Sequence, residues 1–586
     1  MSHGSSSLLS RLLPSSSAAG ARVYDRVAWV WLAAALVTVL ATFRQYGVTW
    51  DEAWHLAYGY RISQWYTSGF TDTGALTYRI NYLYGGGYDL LGAIFRAIAV
   101  PMEGFPAIHL LGGLVGVLGL MGVWKLGRAL AGPRAGLLAL VMLTLHPVWW
   151  GHMFNNPKDS PFAVAYAWSL YYMVVAIGEL PRPSRGTLAK LAVAIGLALS
   201  VRIAGLILLC FLALVLGLFA AHAAWLRRSW AALAAHVRRA LAIGAGVTAG
   251  AWAVMLIGWP WAQLDPLTRP FIALRRMSSF DAHQRKMPFA DEYLWNYEIG
   301  WDYLPHYFGF QTPELVLVML AVGTVWGVAA LLRRGGRPEH VRPALALLLL
   351  GMSIFVPPVY AVYKGSPLYD GYRHFLFVVP PMVALAAVAN EALIVRLRRR
   401  WARAAAWALT GALLLDLLAQ SIRLHPHQVV YFNRFIGGVA GAIGHYDTDY
   451  YGNTNPEAML GMQRWLWDNE RETYLDSVYY FTGCLSGKAM HLHVPSNFRS
   501  FKTRPGEQYS DFSVGYLRDR CDTRFPDAPQ IFAVERDGGV LNVVKDLRGR
   551  PISHRTEKGA RKRLPPPKPA AEAAPTVSDK DQEVSG

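Results

Sequence analysis

Charge is scarce in this sequence. Of 586 residues only 16% are Asp, Glu, Lys or Arg, against roughly 25% in soluble domains. Apolar residues make up 53% and the mean hydropathy is +0.22, so an ordinary soluble domain is excluded and a polytopic membrane protein is expected. Cysteine is scarcer still, at three residues. Cys210 falls inside an apolar run, leaving Cys484 and Cys521 in a later polar segment, where an oxidising compartment would allow them to bridge. No Gly-rich phosphate loop is evident, and the apolar runs show no inverted repeat. They hold few ionisable residues, chiefly Arg202 and Asp416, which argues against a charge-lined path through the bilayer.

What is abundant is arginine between apolar runs. The net charge of +18 would suit a nucleic-acid partner only with a basic groove or stripe, and the clusters instead follow membrane topology, so no nucleic acid is expected. The runs predict eleven spans: Val27–Phe43, Pro106–Trp124, Ala135–Val148, Pro161–Ile177, Leu188–Ser200, Ile203–Ala221, Leu241–Gly258, Glu314–Leu332, Pro343–Val362, His374–Ile394 and Ala404–Ile422. The first lacks a small-residue cleavage site and is read as an uncleaved helix. With eleven spans, the groups around Arg128, Arg185, Arg228, Arg334 and Arg399 all fall on the side of the N-terminus, the cytoplasmic side by the positive-inside rule. This requires the short run Tyr88–Val100 to lie along the interface. Residues 1–26 then form a cytoplasmic segment, 27–422 a transmembrane domain with long outer loops, and 423–550 a small extracytoplasmic α+β domain. Residues 551–586, rich in Pro, Ala, Lys and Glu, form a disordered tail.

The non-cytoplasmic side collects the chemistry-bearing residues. TWDEAWH, Thr49–His55, follows the first span, with Asp51 and Glu52 adjacent and His55 one helical turn on. Carboxylates there are either an acidic helix start favoured by the helix dipole or a pair with a task. Arg79 stands among Tyr78, Tyr82 and Tyr84, an aromatic belt or a pocket lining. In NNPKDSPF, Asn156, Lys158 and Asp159 crowd one helix start, where Asp159 or Ser160 would serve as a cap. Tyr372, Arg373 and His374 open a span, and an Arg at its outer end breaks the positive-inside bias. It either snorkels beside headgroups or holds a phosphate. Arg202 is a buried ion-pair partner or a turn residue. Further on, Asp447, Asp449 and Tyr450 either build turns or touch a glycan.

The carboxylate pair after the first span, NPKDSPF, DYLPHYFGFQTPE and YRHFLFVVPP resemble, in order and sidedness, the GT-C superfamily of membrane glycosyltransferases over residues 27 to 420. The nearest branch includes protein O-mannosyltransferases and bacterial enzymes that modify lipid A. The resemblance implies transfer of a sugar from a polyprenyl-phosphate carrier to a glycan, lipid or protein acceptor at the non-cytoplasmic face of the inner membrane. Asp51 would be the general base and Glu52 would orient it or the acceptor. Arg79, Lys158, Arg373 and His374 would face the carrier phosphate, and His55, Asn156, Asp159 and Tyr372 the acceptor or sugar. No cofactor is certain. A divalent metal is left open by the i, i+4 spacing of Asp51 and His55, which lacks a nearby third ligand. A β-trefoil pattern like that of eukaryotic protein O-mannosyltransferases is missing, which weakens a protein acceptor. A lipid-linked sugar flippase or other transporter, or an inactive assembly protein, are the alternatives.

Overall fold

The computed structural model describes residues 18–99, 104–278, 284–334, 338–484, 495–500 and 510–549. The tail 551–586 and residues 1–17 lie outside the described residues. The helices, in chain order, are α1 (Ala18–Thr42), α2 (Glu52–Thr67), α3 (Gly87–Ile98), α4 (Phe105–Ala131), α5 (Pro133–Thr144), α6 (Pro147–Asn155), α7 (Asp159–Glu179), α8 (Arg185–Leu199), α9 (Leu206–Arg227) and α10 (Trp230–Ile257). After the short α11 (Pro260–Gln263), α12 (Arg269–Ser278) and α13 (Tyr303–Gln311) come α14 (Glu314–Arg334), α15 (Val341–Tyr363), α16 (Val379–Arg396) and α17 (Arg400–Leu424).

Among the described residues nine helices are long and apolar enough to cross a membrane. Two further predicted spans take other forms. Ala135–Val148 becomes α5 and α6, bent by 65° where Pro147 stops the first helix from continuing. Leu188–Ser200 becomes α8, whose 15 residues reach only about 22 Å, short of a hydrocarbon core of roughly 30 Å. All eleven predicted segments are therefore helical, two of them not as simple spans. The α4–α5 corner shows the local logic: Gly132 turns at φ +93°, a conformation L side chains rarely adopt, and Pro133 opens the next helix.

Burial ranks the helices. The apolar stretch of α16 is 89% buried and those of α4 and α7 are 72% buried, whereas α10 and α17 reach only 17%, so α16 is the bundle's axis and α10 and α17 are its rim. Three basic positions that the sequence places on one side each have a partner: Arg128 pairs with Asp25 at 2.8 Å, Arg134 with Glu391 at 2.5 Å, and Arg342 donates to the Leu180 carbonyl. At the other end α3 buries Tyr88, Asp89 and Gly92 and exposes Leu91, Ile94 and Ile98, the division expected of a helix lying along an interface.

Beyond α17 the chain first returns to the bundle. Val429–Phe432, Val439 and Tyr446 share the bundle core, with α18 (Gly438–Ala442) between them. A separate core begins at Ala458, where α19 (Asn455–Asn469) covers a five-stranded sheet. Its strands are β3 (Tyr479–Gly483), β4 (Phe498–Ser500), β5 (Phe512–Tyr516), β6 (Gln530–Arg536) and β7 (Gly539–Asp546), ordered β4-β3-β5-β7-β6. The first three run parallel and the last pairs antiparallel. A small hairpin between α12 and α13 supplies β1 (Lys286–Phe289) and β2 (Glu292–Trp295). Cys484 and Cys521 are joined in a disulfide. Val48 and Trp50, just before Asp51, pack into this second core, so the sheet domain is seated on the turn that carries the first acidic pair.

Candidate active site

The turn before α2 separates its two carboxylates. Glu52 Oε2 accepts from the Thr49 N–H at 2.7 Å and the Thr49 hydroxyl at 3.1 Å, while Oε1 lies 2.7 Å from His109 Nε2. Glu52 thus lies in the first turn, where the helix dipole favours it, and binds the Thr49 donors just before the helix. The Asp51 side chain makes no capping bond and points elsewhere. Its Oδ2 lies 2.9 Å from Lys158 Nζ, 3.3 Å from Arg373 Nη1 and 3.2 Å from the Tyr451 hydroxyl, which donates to it. About a fifth of the Asp51 side chain stays exposed, against none of Glu52.

A similar division operates at the start of α7. Lys158 stands at the N-cap without a side-chain bond, and Asn156, not Asp159 or Ser160, satisfies the helix start, its Oδ1 accepting from the Asp159 N–H at 2.9 Å. The Ser160 hydroxyl donates to the His152 carbonyl. Asp159 is released to pair with Arg202 and, at 3.1 Å, with Arg373 Nη1. Arg202 is therefore an ion-pair partner. The expectation that Asp159 or Ser160 would cap the helix is corrected: the side-chain carbonyl of Asn156, from the loop before it, bonds the helix start instead.

Arg373 is the hub. A turn with Asp370 at φ +58° and Gly371 at φ +65° folds YDGYR back on itself, so that Asp370 Oδ2 takes Arg373 Nη2 at 2.7 Å and Nε at 3.1 Å. A Cβ at Gly371 would meet Gln311 Oε1 at 2.8 Å, so glycine serves there both for its φ and for space. The guanidinium, with Nε and Nη2 of one edge on Asp370 Oδ2 and Nη1 toward Asp51 and Asp159, is held in a fixed plane. Asp370 is shared with Arg285, which also pairs with Asp447 at 3.0 Å, and with Arg518 at 3.5 Å. Asp51, Asp159, Asp370 and Asp447 thus lie interleaved with Lys158, Arg202, Arg285, Arg373 and Arg518. Such groups persist out of water only because each is paired.

The electrostatics follow. Burial alone would raise the Asp51 carboxyl, but Lys158, Arg373 and His55 overrule it and hold it well below the usual range. Burial works the same way on Asp370, and Arg518, Arg373 and Arg285 hold it down. Asp447, with fewer cations and Asp370 nearby, is raised, chiefly by burial.

Of the residues singled out in the sequence, Asp51, Lys158, Asp159 and Arg373 meet, with Asn156 bonded to Asp159 at 3.0 Å. His374 stands edge-on to Tyr369 at 4.7 Å, beside Arg373. Three residues turn to other partners. His55 Nδ1 is 2.9 Å from Asp89, Arg79 is exposed and stacks 3.3 Å over the Trp54 ring, and Tyr372 is buried against Phe308. Glu52 backs the turn. A metal does not fit the Asp51–His55 spacing, because His55 is turned to Asp89 and Asp51 to cations. Among the described residues no group of three or more His, Cys, Asp and Glu side chains is placed to hold one. Of the three residues after α18 left open between turn and ligand, Asp449 builds a turn, accepting from the Gly452, Asn453 and Thr454 N–H groups. Asp447 instead joins the ion network, and the Tyr450 hydroxyl lies 2.9 Å from His152 Nε2. Arg285, Asp370, Tyr451 and Arg518 were not anticipated; the one local signal was Asp370 three residues before Arg373.

No curated protein sequence matches the chain. Among solved structures, ArnT from Cupriavidus metallidurans bound to undecaprenyl phosphate is similar at 16% identity and a TM-score of 0.44, covering 90% of this chain and 98% of that one. AglB, an oligosaccharyltransferase of Archaeoglobus fulgidus in complex with an inhibitory peptide and a dolichol-phosphate, is similar at 11% identity and a TM-score of 0.46, covering 90% and 75%. AftD, an arabinofuranosyltransferase from Mycobacteria, is similar at 14% identity and a TM-score of 0.39, covering 89% and 40%. The model of the dolichyl-phosphate-mannose-protein mannosyltransferase family matches residues 89–245, from α3 into α10, and over that stretch this multi-pass helical protein is similar to that family, in keeping with the resemblance read from its sequence.

Proposed function

We propose that the protein transfers a sugar from a polyprenyl-phosphate carrier to an acceptor hydroxyl at the non-cytoplasmic face of the inner membrane. Asp51 is the general base, and Lys158 and Arg373, flanked by Arg202 and His374, are the carrier-phosphate site. The observation that carries this reading is the convergence of Lys158 and Arg373 on one oxygen of Asp51 from loops more than a hundred residues apart. The acceptor O–H gives its proton to Asp51 and its oxygen attacks the anomeric carbon. The bond from that carbon to the phosphate oxygen breaks, its electron pair leaves on the phosphate, and one displacement inverts the centre. Charge growing on the leaving phosphate is what fixed cations stabilise. A disulfide between Cys484 and Cys521 is what an oxidising compartment allows, which supports an extracytoplasmic sheet domain; with an odd number of spans the N-terminus is then cytoplasmic.

The ion pairs also order the steps. With two cations on Oδ2, Asp51 is too weakly basic to take a hydroxyl proton. A carrier phosphate competes for the same Lys158 and Arg373, and its arrival raises the Asp51 pKa by removing them. The base is thus switched on by the donor. Glu52, by fixing Thr49, orients the turn on which the base sits.

Purified protein supplied with polyprenyl-phosphate sugars and envelope lipids or peptides is expected to release free polyprenyl phosphate, and Asp51→Asn to slow release at least ~100-fold. Undiminished turnover in Asp51→Asn overturns the base. Movement of the carrier across vesicles without its consumption overturns the transferase.

A further inference from the structure

Among the described residues, the loop Arg518–Thr523, which leads off β5 and contains Cys521, carries a sheet-domain side chain to the carrier-phosphate cluster. Three features hold this loop in place. The Cys484 bridge ties it to the end of β3. Gly515 on β5 leaves the loop room to lie flat, since a Cβ there would meet the Cys521 carbonyl at 2.4 Å. Asp519 and Arg520 take left-handed φ values of +55° and +53°, strained for residues with side chains. The result is that Arg518 leaves its own domain. Its Nη1 donates to the Tyr450 carbonyl at 2.7 Å and lies 3.5 Å from Asp370, and its guanidinium sits 5.4 Å above the Trp50 ring. Trp50 in turn donates to the Tyr516 hydroxyl at 2.6 Å. One side chain therefore touches both the residue preceding Asp51 and the carboxylate that orients Arg373.

We infer that Arg518, held by the disulfide-tied loop, is a positioning residue through which the extracytoplasmic domain sets Arg373 and Asp51 for the carrier phosphate. The inference rests on the carrier-phosphate reading of Arg373. Arg518 takes a share of the Asp370 charge, so that Asp370 can direct Arg373 without neutralising it, and its stack on Trp50 fixes the turn before the base. Loss of the positive charge leaves Asp370 to draw Arg373 inward and away from an incoming phosphate.

Undecaprenyl phosphate in detergent micelles is the probe, titrated against the full-length protein and its variants with thermal melting in parallel. Arg518→Gln is expected to weaken binding about tenfold, and Arg518→Lys, which keeps the charge but not the planar stack, to recover most of that loss. Reduction of the disulfide in the wild type is expected to weaken binding severalfold, and to add little in Arg518→Gln because both act through one contact. Unchanged affinity in Arg518→Gln, while Arg373→Gln loses binding, overturns the inference and leaves the carrier site standing. A lysine variant as weak as the glutamine variant also overturns it, as does a reduction effect of equal size with and without Arg518. Full binding in Arg373→Gln overturns the carrier site itself. Should Arg518→Gln not fold, the lysine variant and reduction of the wild type decide the matter by the same criteria.

Discussion

Asp51 and Glu52 are consecutive in the chain and face different worlds. Glu52 is closed off between Thr49 and His109, its partners fixed by the helix start and by α4. Asp51 keeps partial exposure and shares one oxygen among Lys158, Arg373 and Tyr451, side chains delivered by three other segments. A buried acid with local partners builds structure. A half-open acid whose partners are cations that a phosphate could claim is equipped to change partners during a reaction.

That contrast is broken first at its hub. Arg373→Ala leaves Asp370, Asp159 and Asp51 short of a shared cation, and is expected to cost about 3–5 kcal/mol of stability, read as a lower melting temperature, together with carrier binding. If it melts like the wild type, the cluster is not what holds this end of the bundle together. Next, Glu52→Gln is expected to cost about 1–3 kcal/mol, because a buried acceptor of two Thr49 donors is weakened, and to lower turnover through the turn it supports. A melting temperature equal to wild type would erase the difference between the two acids.

Acid should sharpen the comparison. Asp51 and Asp370 have folded pKa values below their unfolded ones, so their stabilising share is present above the unfolded value and is lost as pH falls from about pH 4 through the folded values. Asp447 is shifted the other way and offsets part of this, its destabilising share fading as it protonates. Acid unfolding monitored by tryptophan fluorescence is expected to shift to higher pH in Lys158→Met, which removes a cation from Asp51. An unmoved midpoint would mean that Asp51 is not held down by Lys158. The smallest effect is expected from Arg79→Ala, about 0.5–1 kcal/mol for an exposed stack on Trp54, with carrier affinity within twofold of wild type. A tenfold loss would bring Arg79 into the phosphate site despite its stack on Trp54.

The sequence made the bundle legible because spans are long and uniformly apolar, and because Arg clusters mark one side. It was less informative where backbone geometry decides. Pro147 bends one predicted span into two helices, while the short run Leu188–Ser200, already under a bilayer's thickness in the sequence, proves to be the 15-residue α8. Within the site, Asp51, Lys158 and Arg373 stood out as charged residues at span ends. Asp370 was hidden, since its role comes from a left-handed turn that brings it under Arg373. Arg285 and Arg518 carry no local signature, for each is an ordinary loop arginine until tertiary packing buries it beside Asp370. The sequence reads Asp159 both as a cap and, through the family resemblance, as an acceptor or sugar contact; its ion pairs with Arg202 and Arg373 were not foreseen, and Asn156 bonds the helix start instead.

The most direct test of the account is the affinity of Asp51→Asn for undecaprenyl phosphate, measured against wild type. On the proposed mechanism Asp51 competes with the phosphate for Lys158 and Arg373, so the neutral variant is expected to bind the carrier at least as tightly as wild type while turning over at least ~100-fold more slowly. Loss of carrier binding in Asp51→Asn, to the level of Arg373→Ala, would contradict the exchange of partners on which the mechanism depends.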